Sequence, residues 1–204
     1  MTVPVPLVFW TILVLGPIPF WHLLLHLFLP SWKRRPRAFY GAAGVLWVSF
    51  LPLAHRLAHH SSPLFTPPPE LRLACLVASL AAFGVAAWSM VALTPSRFFL
   101  WAVLRPQETP AEWIRSGPYR YTAHPCYLAM VATAASSFLA SGEAVLAVAL
   151  GVLGTLLVVV GVLEQRELQA RLKSPPAQRG AAPVLGRSPD PALAPLAMGT
   201  DKSD

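Results

Sequence analysis

The residue types best suited to chemistry in this 204-residue chain are gathered between Ser116 and Leu128. The string there reads Ser-Gly-Pro-Tyr-Arg-Tyr-Thr-Ala-His-Pro-Cys-Tyr-Leu. Gly117-Pro118 breaks the chain, and Pro125 suits the first turn of a following helix, where its missing N–H is no loss. That spacing predicts His124 at a helix N-terminus. Free backbone N–H groups and the positive end of the helix dipole favour an anionic or strongly polar ligand there. Tyr119, Tyr121 and Tyr127 add aromatic faces and hydroxyls. The same types also make an interfacial belt, with aromatic rings at headgroup level and His124 only capping a helix. A second candidate is Glu164, which closes the apolar run from Ala144 to Leu163. A carboxylate so near a bilayer is costly without a partner; the plain alternative is a solvated helix end beside Arg166.

The elements that must position these residues follow from charge scarcity. Hydrophobic residues make up 55% of the chain and charged residues only 12%, against about 25% charged in soluble chains. No formal charge lies between Arg37 and Arg56, or between Arg72 and Arg97. About 20 apolar helical residues cross a hydrocarbon core, so the chain is predicted to be an all-α, polytopic integral membrane protein. Disordered, fibrous and disulfide-stapled secreted classes are excluded; Cys75 and Cys126 are too few for a disulfide framework. About five transmembrane helices are expected: residues 7–29, kinked at Pro17 and Pro19; 38–57; 73–93; 125–140; and 144–163. The last two form a tight hairpin around Ser141-Gly142-Glu143, and the first is read as a retained helix, not a cleaved signal. Residues 1–172 are expected to form one transmembrane domain, and 173–204, rich in Pro, Ala and Gly, a disordered tail.

Lys33, Arg34, Arg35 and Arg37 stand in the first loop with no acid among them, which places that loop in the cytoplasm. Alternation then puts the N-terminus outside, the 59–70 loop outside, the 94–122 loop inside, the Ser141 turn outside and the C-terminus inside. The net charge of +7 is thereby a topology signal; the expected partner is the lipid bilayer and not nucleic acid. His22 with His26, and His55 with His59 and His60, have the i,i+4 spacing that puts two metal ligands on one helix face. Orientation separates the two groups by about 30 Å of hydrocarbon, so they cannot share an ion. They are read as interfacial histidines, and no metal site is assigned.

The string Gly117-Pro118-Tyr119-Arg120-Tyr121, then His124-Pro125-x-Tyr127-Leu128, an apolar hairpin and Glu164 resembles the isoprenylcysteine carboxyl methyltransferase family. The related phospholipid methyltransferase and nurim-like membrane proteins share the pattern, and Arg97-Phe98-Phe99 resembles their entry to it. The likeness covers residues 94–172. It implies a membrane bundle of five or more helices holding S-adenosyl-L-methionine at the cytoplasmic face. Carried over by residue, cofactor contacts fall on Trp113, Ile114, Tyr119, Tyr121, His124, Pro125, Cys126, Tyr127 and Glu164. Arg120 and Glu164 are the catalytic candidates, with the Glu164 carboxylate suited to the ammonium of the methionyl part. Arg97 and Arg120 are the candidates for holding a substrate carboxylate or phosphate, since Arg makes bidentate contacts.

The implied function is methyl transfer to a lipophilic, lipid-like or isoprenylcysteine-like acceptor. An ionised carboxylate needs no general base, so the protein's work is alignment and water exclusion. The alternatives are a catalytically inactive nurim-like protein and an NADPH-dependent sterol-reductase-like oxidoreductase. The sequence departs from the family's usual pattern at Ala123, where Arg commonly precedes His-Pro, at Gln165 in the acid pair, and at Val160-Gly161, where a basic residue is common.

Overall fold

A computed structural model of the chain describes residues 5–106, 108 and 113–173. The tail expected from residue 173 onward lies outside them, apart from Lys173, where the last helix ends. Every regular element among the described residues is helical. In order they are α1 Val5–Leu15, α2 Pro17–Leu27, α3 Leu29–Arg34, α4 Pro36–His60, α5 Pro69–Leu93, α6 Pro95–Phe98, α7 Trp101–Leu104, a 3₁₀ turn Gly117–Arg120, α8 Pro125–Ser141 and α9 Ala144–Lys173.

Four stretches are long and apolar enough to cross a membrane: Val5–Leu27, Pro36–His60, Pro69–Leu93 and Ala144–Leu172. The first is α1 and α2 together, interrupted at Gly16. A Cβ on Gly16 would stand 2.6 Å from a ring carbon of Phe50 in α4, so the break is also a point of close contact with α4. Pro17 opens α2 at the position where its missing N–H is harmless. The fourth expected span is α8, whose 17 residues rise about 26 Å at about 1.5 Å each. That is shorter than the other apolar stretches and explains why four, not five, meet the length of a crossing.

α9 overruns its expected end. Glu164 closes the apolar run, yet α9 continues to Lys173. Gln165 to Leu172 are nearly all strong helix formers, so charge ends the apolar run without ending the helix. Glu164 therefore sits inside a helix with turns on both sides.

Packing divides into three clusters. Val8 and Ile12 of α1 meet Ala54 and Ala58 of α4 and Leu146 of α9. Trp21 and Leu25 of α2 meet Phe39 and Ala43 of α4 and Leu100 and Leu104 around α7, with Trp21 stacked on Phe39 at 5.7 Å. Ala134 of α8 meets Leu153 and Leu157 of α9. α5 packs along α8 with Ala82, Ser89 and Ala129 buried. Small residues let helix backbones approach where lipid removes the hydrophobic drive for association. Ser89 Oγ donates to Val85 O at 2.7 Å, which satisfies its buried hydroxyl.

One end of the bundle is tied by backbone bonds: Leu64 N donates to Gly142 O at 2.7 Å and Ala144 N to Ser62 O at 3.0 Å. Gly142 has φ +73°, and a Cβ there would lie 2.0 Å from Phe65 O. Only glycine fits such a turn. The α4–α5 loop and the α8–α9 turn, which alternation places on one face, thus meet at one end. The chemistry-bearing segments meet at the other.

Candidate active site

The residues on either side of the cavity entrance, 94–106 and 113–124, include strained and close-packed backbone. Thr94 (φ +66°) and Leu100 (φ +65°) are the non-glycine residues with positive φ among the described residues. Such conformations cost on the order of 1–3 kcal/mol each. They bracket Arg97-Phe98-Phe99, turning that stretch towards α2 and α9. Tyr40 of α4 anchors it by donating from its hydroxyl to Phe99 O at 2.7 Å. Gly117 (φ +56°) would put a Cβ 3.0 Å from Trp88 Nε1 and 3.1 Å from the Ala92 Cβ. The 3₁₀ turn therefore lies directly on α5, which fixes Tyr119 beside the start of α8.

His124 caps α8 with extended-side backbone (φ −132°, ψ 59°), and Pro125 follows in the first turn. The imidazole lies against Gly161 of α9, where a Cβ would be 3.5 Å from His124 Nε2. Its ring is parallel to that of Tyr127, one turn on, with centroids 5.2 Å apart. His124 Nδ1 stands 3.7 Å from Glu164 Oε2.

Glu164 is the centre of the polar geometry. The Tyr127 hydroxyl donates to Oε1 at 2.6 Å. His22 Nδ1 is 2.8 Å from the same oxygen and 2.9 Å from the Tyr127 hydroxyl. A single tyrosine proton directed at the carboxylate requires the proton on His22 Nδ1, so that both groups donate. One turn further, His26 Nδ1 lies 3.5 Å from Glu167 Oε2 and Lys33 Nζ 3.8 Å from Glu167 Oε1. Two histidines four apart on α2 thus meet two acids three apart on α9.

These groups open onto a cavity of about 640 Å³, within the size of ordinary small-molecule sites. Of the residues singled out from sequence, Arg97, Trp113, Ile114, Tyr119, Arg120, Tyr121, His124, Cys126, Tyr127 and Glu164 all line it. Pro125 does not; it is buried in the first turn of α8. Arg120 and Tyr121 are exposed at the rim, the guanidinium lying 5.1 Å from the Tyr121 ring centroid. Tyr119 lies deeper, and burial pushes its phenol above the ordinary value, with Cys126 and Glu164 adding to the effect. Among the described residues, no cluster of three or more His, Cys, Asp or Glu has the arrangement of a metal site.

His22 and His26, expected as interfacial histidines, face the interior of the bundle. His22 is 8% exposed and both line the cavity with Glu167 and Arg171. Their spacing was visible in sequence, but a partner 142 positions away leaves no local trace.

Residues 71–173 match the phospholipid methyltransferase family. The match spans just over half of the chain. The chain belongs to the phospholipid methyltransferase family. That family includes the isoprenylcysteine carboxyl methyltransferase-like membrane methyltransferases, and the apolar helices fit an integral membrane protein. No curated protein and no solved structure matches the chain. The family match begins inside α5, so Tyr119, His124, Tyr127 and Glu164 fall within it. α1 to α4, with His22 and His26, lie outside it.

Proposed function

We propose that the chain is an S-adenosyl-L-methionine-dependent methyltransferase acting on a lipophilic acceptor, lipid-like or isoprenylcysteine-like, at the cytoplasmic face. The observation that carries this reading is Glu164: an internal helical carboxylate, held through Oε1 by two side chains, on the wall of a cavity of about 640 Å³. Family membership supplies the reaction class.

The residues present fit the cofactor. Glu164 offers a carboxylate to an ammonium group, and Oε2 is the oxygen turned away from the two donors. Parallel His124 and Tyr127 rings, with Trp113 and Ile114, offer flat and apolar surfaces suited to adenine. Tyr119, kept neutral, offers a hydroxyl for ribose. When bound, S-adenosylmethionine supplies an electrophilic methyl group on a sulfonium. Phe98, Phe99, Leu100 and Val103 of the cavity wall would limit water at that methyl and offer an apolar surface to an acceptor chain. Arg97 and Arg120 line the same cavity and would hold a carboxylate or phosphate of the acceptor.

In this reading α8 is a fifth, short crossing that forms a hairpin with α9. The cationic loop Lys33 to Arg37 lies in the cytoplasm, the N-terminus outside, and the cavity opens to the cytoplasmic side. Incubation of membranes with methyl-labelled cofactor tests the activity: label is expected in the lipid or prenyl-peptide fraction. A folded, monodisperse preparation with no detectable cofactor binding would refute the proposal. A C-terminal reporter enzyme active only in the external compartment would overturn the orientation.

A further inference from the structure

We propose that His22, contributed by a helix outside the family-matched residues, is a positioning residue that completes the cofactor's ammonium site by holding Glu164. The inference rests on the reading of the cavity as an S-adenosylmethionine site. Glu164 lies on α9, within the family-matched residues, and His22 on α2, outside them.

The geometry is specific. Glu164 Oε1 receives two donors, His22 Nδ1 at 2.8 Å and the Tyr127 hydroxyl at 2.6 Å. These two donors are themselves 2.9 Å apart, and their rings meet edge to face at 5.7 Å. A carboxylate held at one oxygen by two donors has a fixed plane, so Oε2 is aimed, not free to rotate. It is aimed towards His124 Nδ1 at 3.7 Å, beyond hydrogen-bond length, on the cavity side. A Glu with Tyr127 alone would keep a bond but lose the second constraint on its χ angles.

His22 can hold this place because α2 is itself clamped. Trp21 stacks on Phe39, Leu25 is fully buried, and the second rung, His26 and Lys33 to Glu167, keeps α2 and α9 in register. His22 is 8% exposed, so little solvent competes for the bond it makes to Oε1. A hydrogen bond to a charged group in such a place is worth on the order of tenfold in affinity.

The test separates positioning from mere structure by varying the ligand. S-Adenosylhomocysteine carries the ammonium; 5′-methylthioadenosine has the adenosine and thioether but no amino-acid part. Titration calorimetry on the full-length chain in nanodiscs compares the two. His22→Ala is expected to weaken S-adenosylhomocysteine on the order of tenfold and to leave methylthioadenosine unchanged. His22→Asn, whose amide nitrogen sits near the Nδ1 position, is expected to restore most of the affinity, and His22→Gln is not. Equal loss of both ligands, no loss of either, or Asn no better than Gln would each overturn the inference. Where His22→Ala does not fold, the Asn and Gln pair carries the same comparison. A wild-type chain that binds neither ligand refutes the cofactor reading itself, which is distinct from wild-type binding that is indifferent to His22.

Discussion

His124 and Tyr127 lie one helical turn apart with their rings within 1° of parallel, and they address the two oxygens of one carboxylate. The tyrosine hydroxyl bonds Glu164 Oε1 at 2.6 Å, while the imidazole Nδ1 faces Oε2 at 3.7 Å. The parallel stack therefore acts as a ruler laid along α8, setting the distance from helix start to acid.

Removing only the hydroxyl probes one side of that arrangement. Tyr127→Phe keeps the ring stack and deletes the donor to Oε1. Affinity for S-adenosylhomocysteine is expected to fall by roughly three- to tenfold. Combined with His22→Ala, the losses should not add, because both residues act on the same oxygen. Strict additivity in a double-mutant cycle would show that they act separately.

Gly161 governs the other side. A Cβ there makes ordinary contact with His124 Nε2 at 3.5 Å, so Gly161→Ala should bind cofactor within about twofold of wild type. Gly161→Leu must displace the imidazole, and overpacking of this kind costs about 1–3 kcal/mol. It should lower affinity on the order of tenfold. A leucine variant with wild-type affinity would remove His124 from the site.

At the far end of the bundle, Gly142→Ala should destabilise without touching the cavity. The φ of +73° and the 2.0 Å approach to Phe65 O leave no room for a methyl group. A loss of about 1–3 kcal/mol is expected, read as a lower midpoint in denaturant unfolding in detergent, with ligand affinity per folded molecule unchanged. An unaltered midpoint would contradict the backbone tie between the two loops.

Tyr119 gives a pH dependence. Burial raises its phenol above the ordinary 10.0, so the folded state keeps a proton that the unfolded chain releases as pH passes that value. The stabilisation is complete below pH 10.0 and is lost as pH rises towards the folded value. Melting temperature should fall above about pH 10, and Tyr119→Phe should flatten that fall while matching wild type at neutral pH. Identical alkaline slopes would assign the titration elsewhere.

The legible parts of the fold are those written in hydropathy. Apolar runs mark the starts of the long helices to within a few residues, Pro125 marks the start of α8, and the basic loop at 33–37 separates the first two spans. Hydropathy reports where lipid is tolerated, not where helix stops, which is why α9 continues past Glu164 on strong helix formers. The short α8 lay at the edge of that signal for the same reason. Around the cavity, the motif from Gly117 to Leu128 was legible because its turn and cap chemistry is local. His22 was not. Its spacing to His26 suggested a ligand pair, and the acids that complete both rungs are on the last helix, which nothing in the local pattern connects to the first.

The contact between His22 and Glu164 spans 142 positions of sequence, and that has a consequence for biogenesis. While the chain is being synthesised, α2 enters the bilayer long before α9 exists, so its two histidines wait without their acids. The polar centre comes into being only when the last long helix docks against the first. A truncated chain ending before residue 164 carries the tyrosines and His124 but lacks Glu164, and a segment confined to residues 71–173 carries Glu164 without His22.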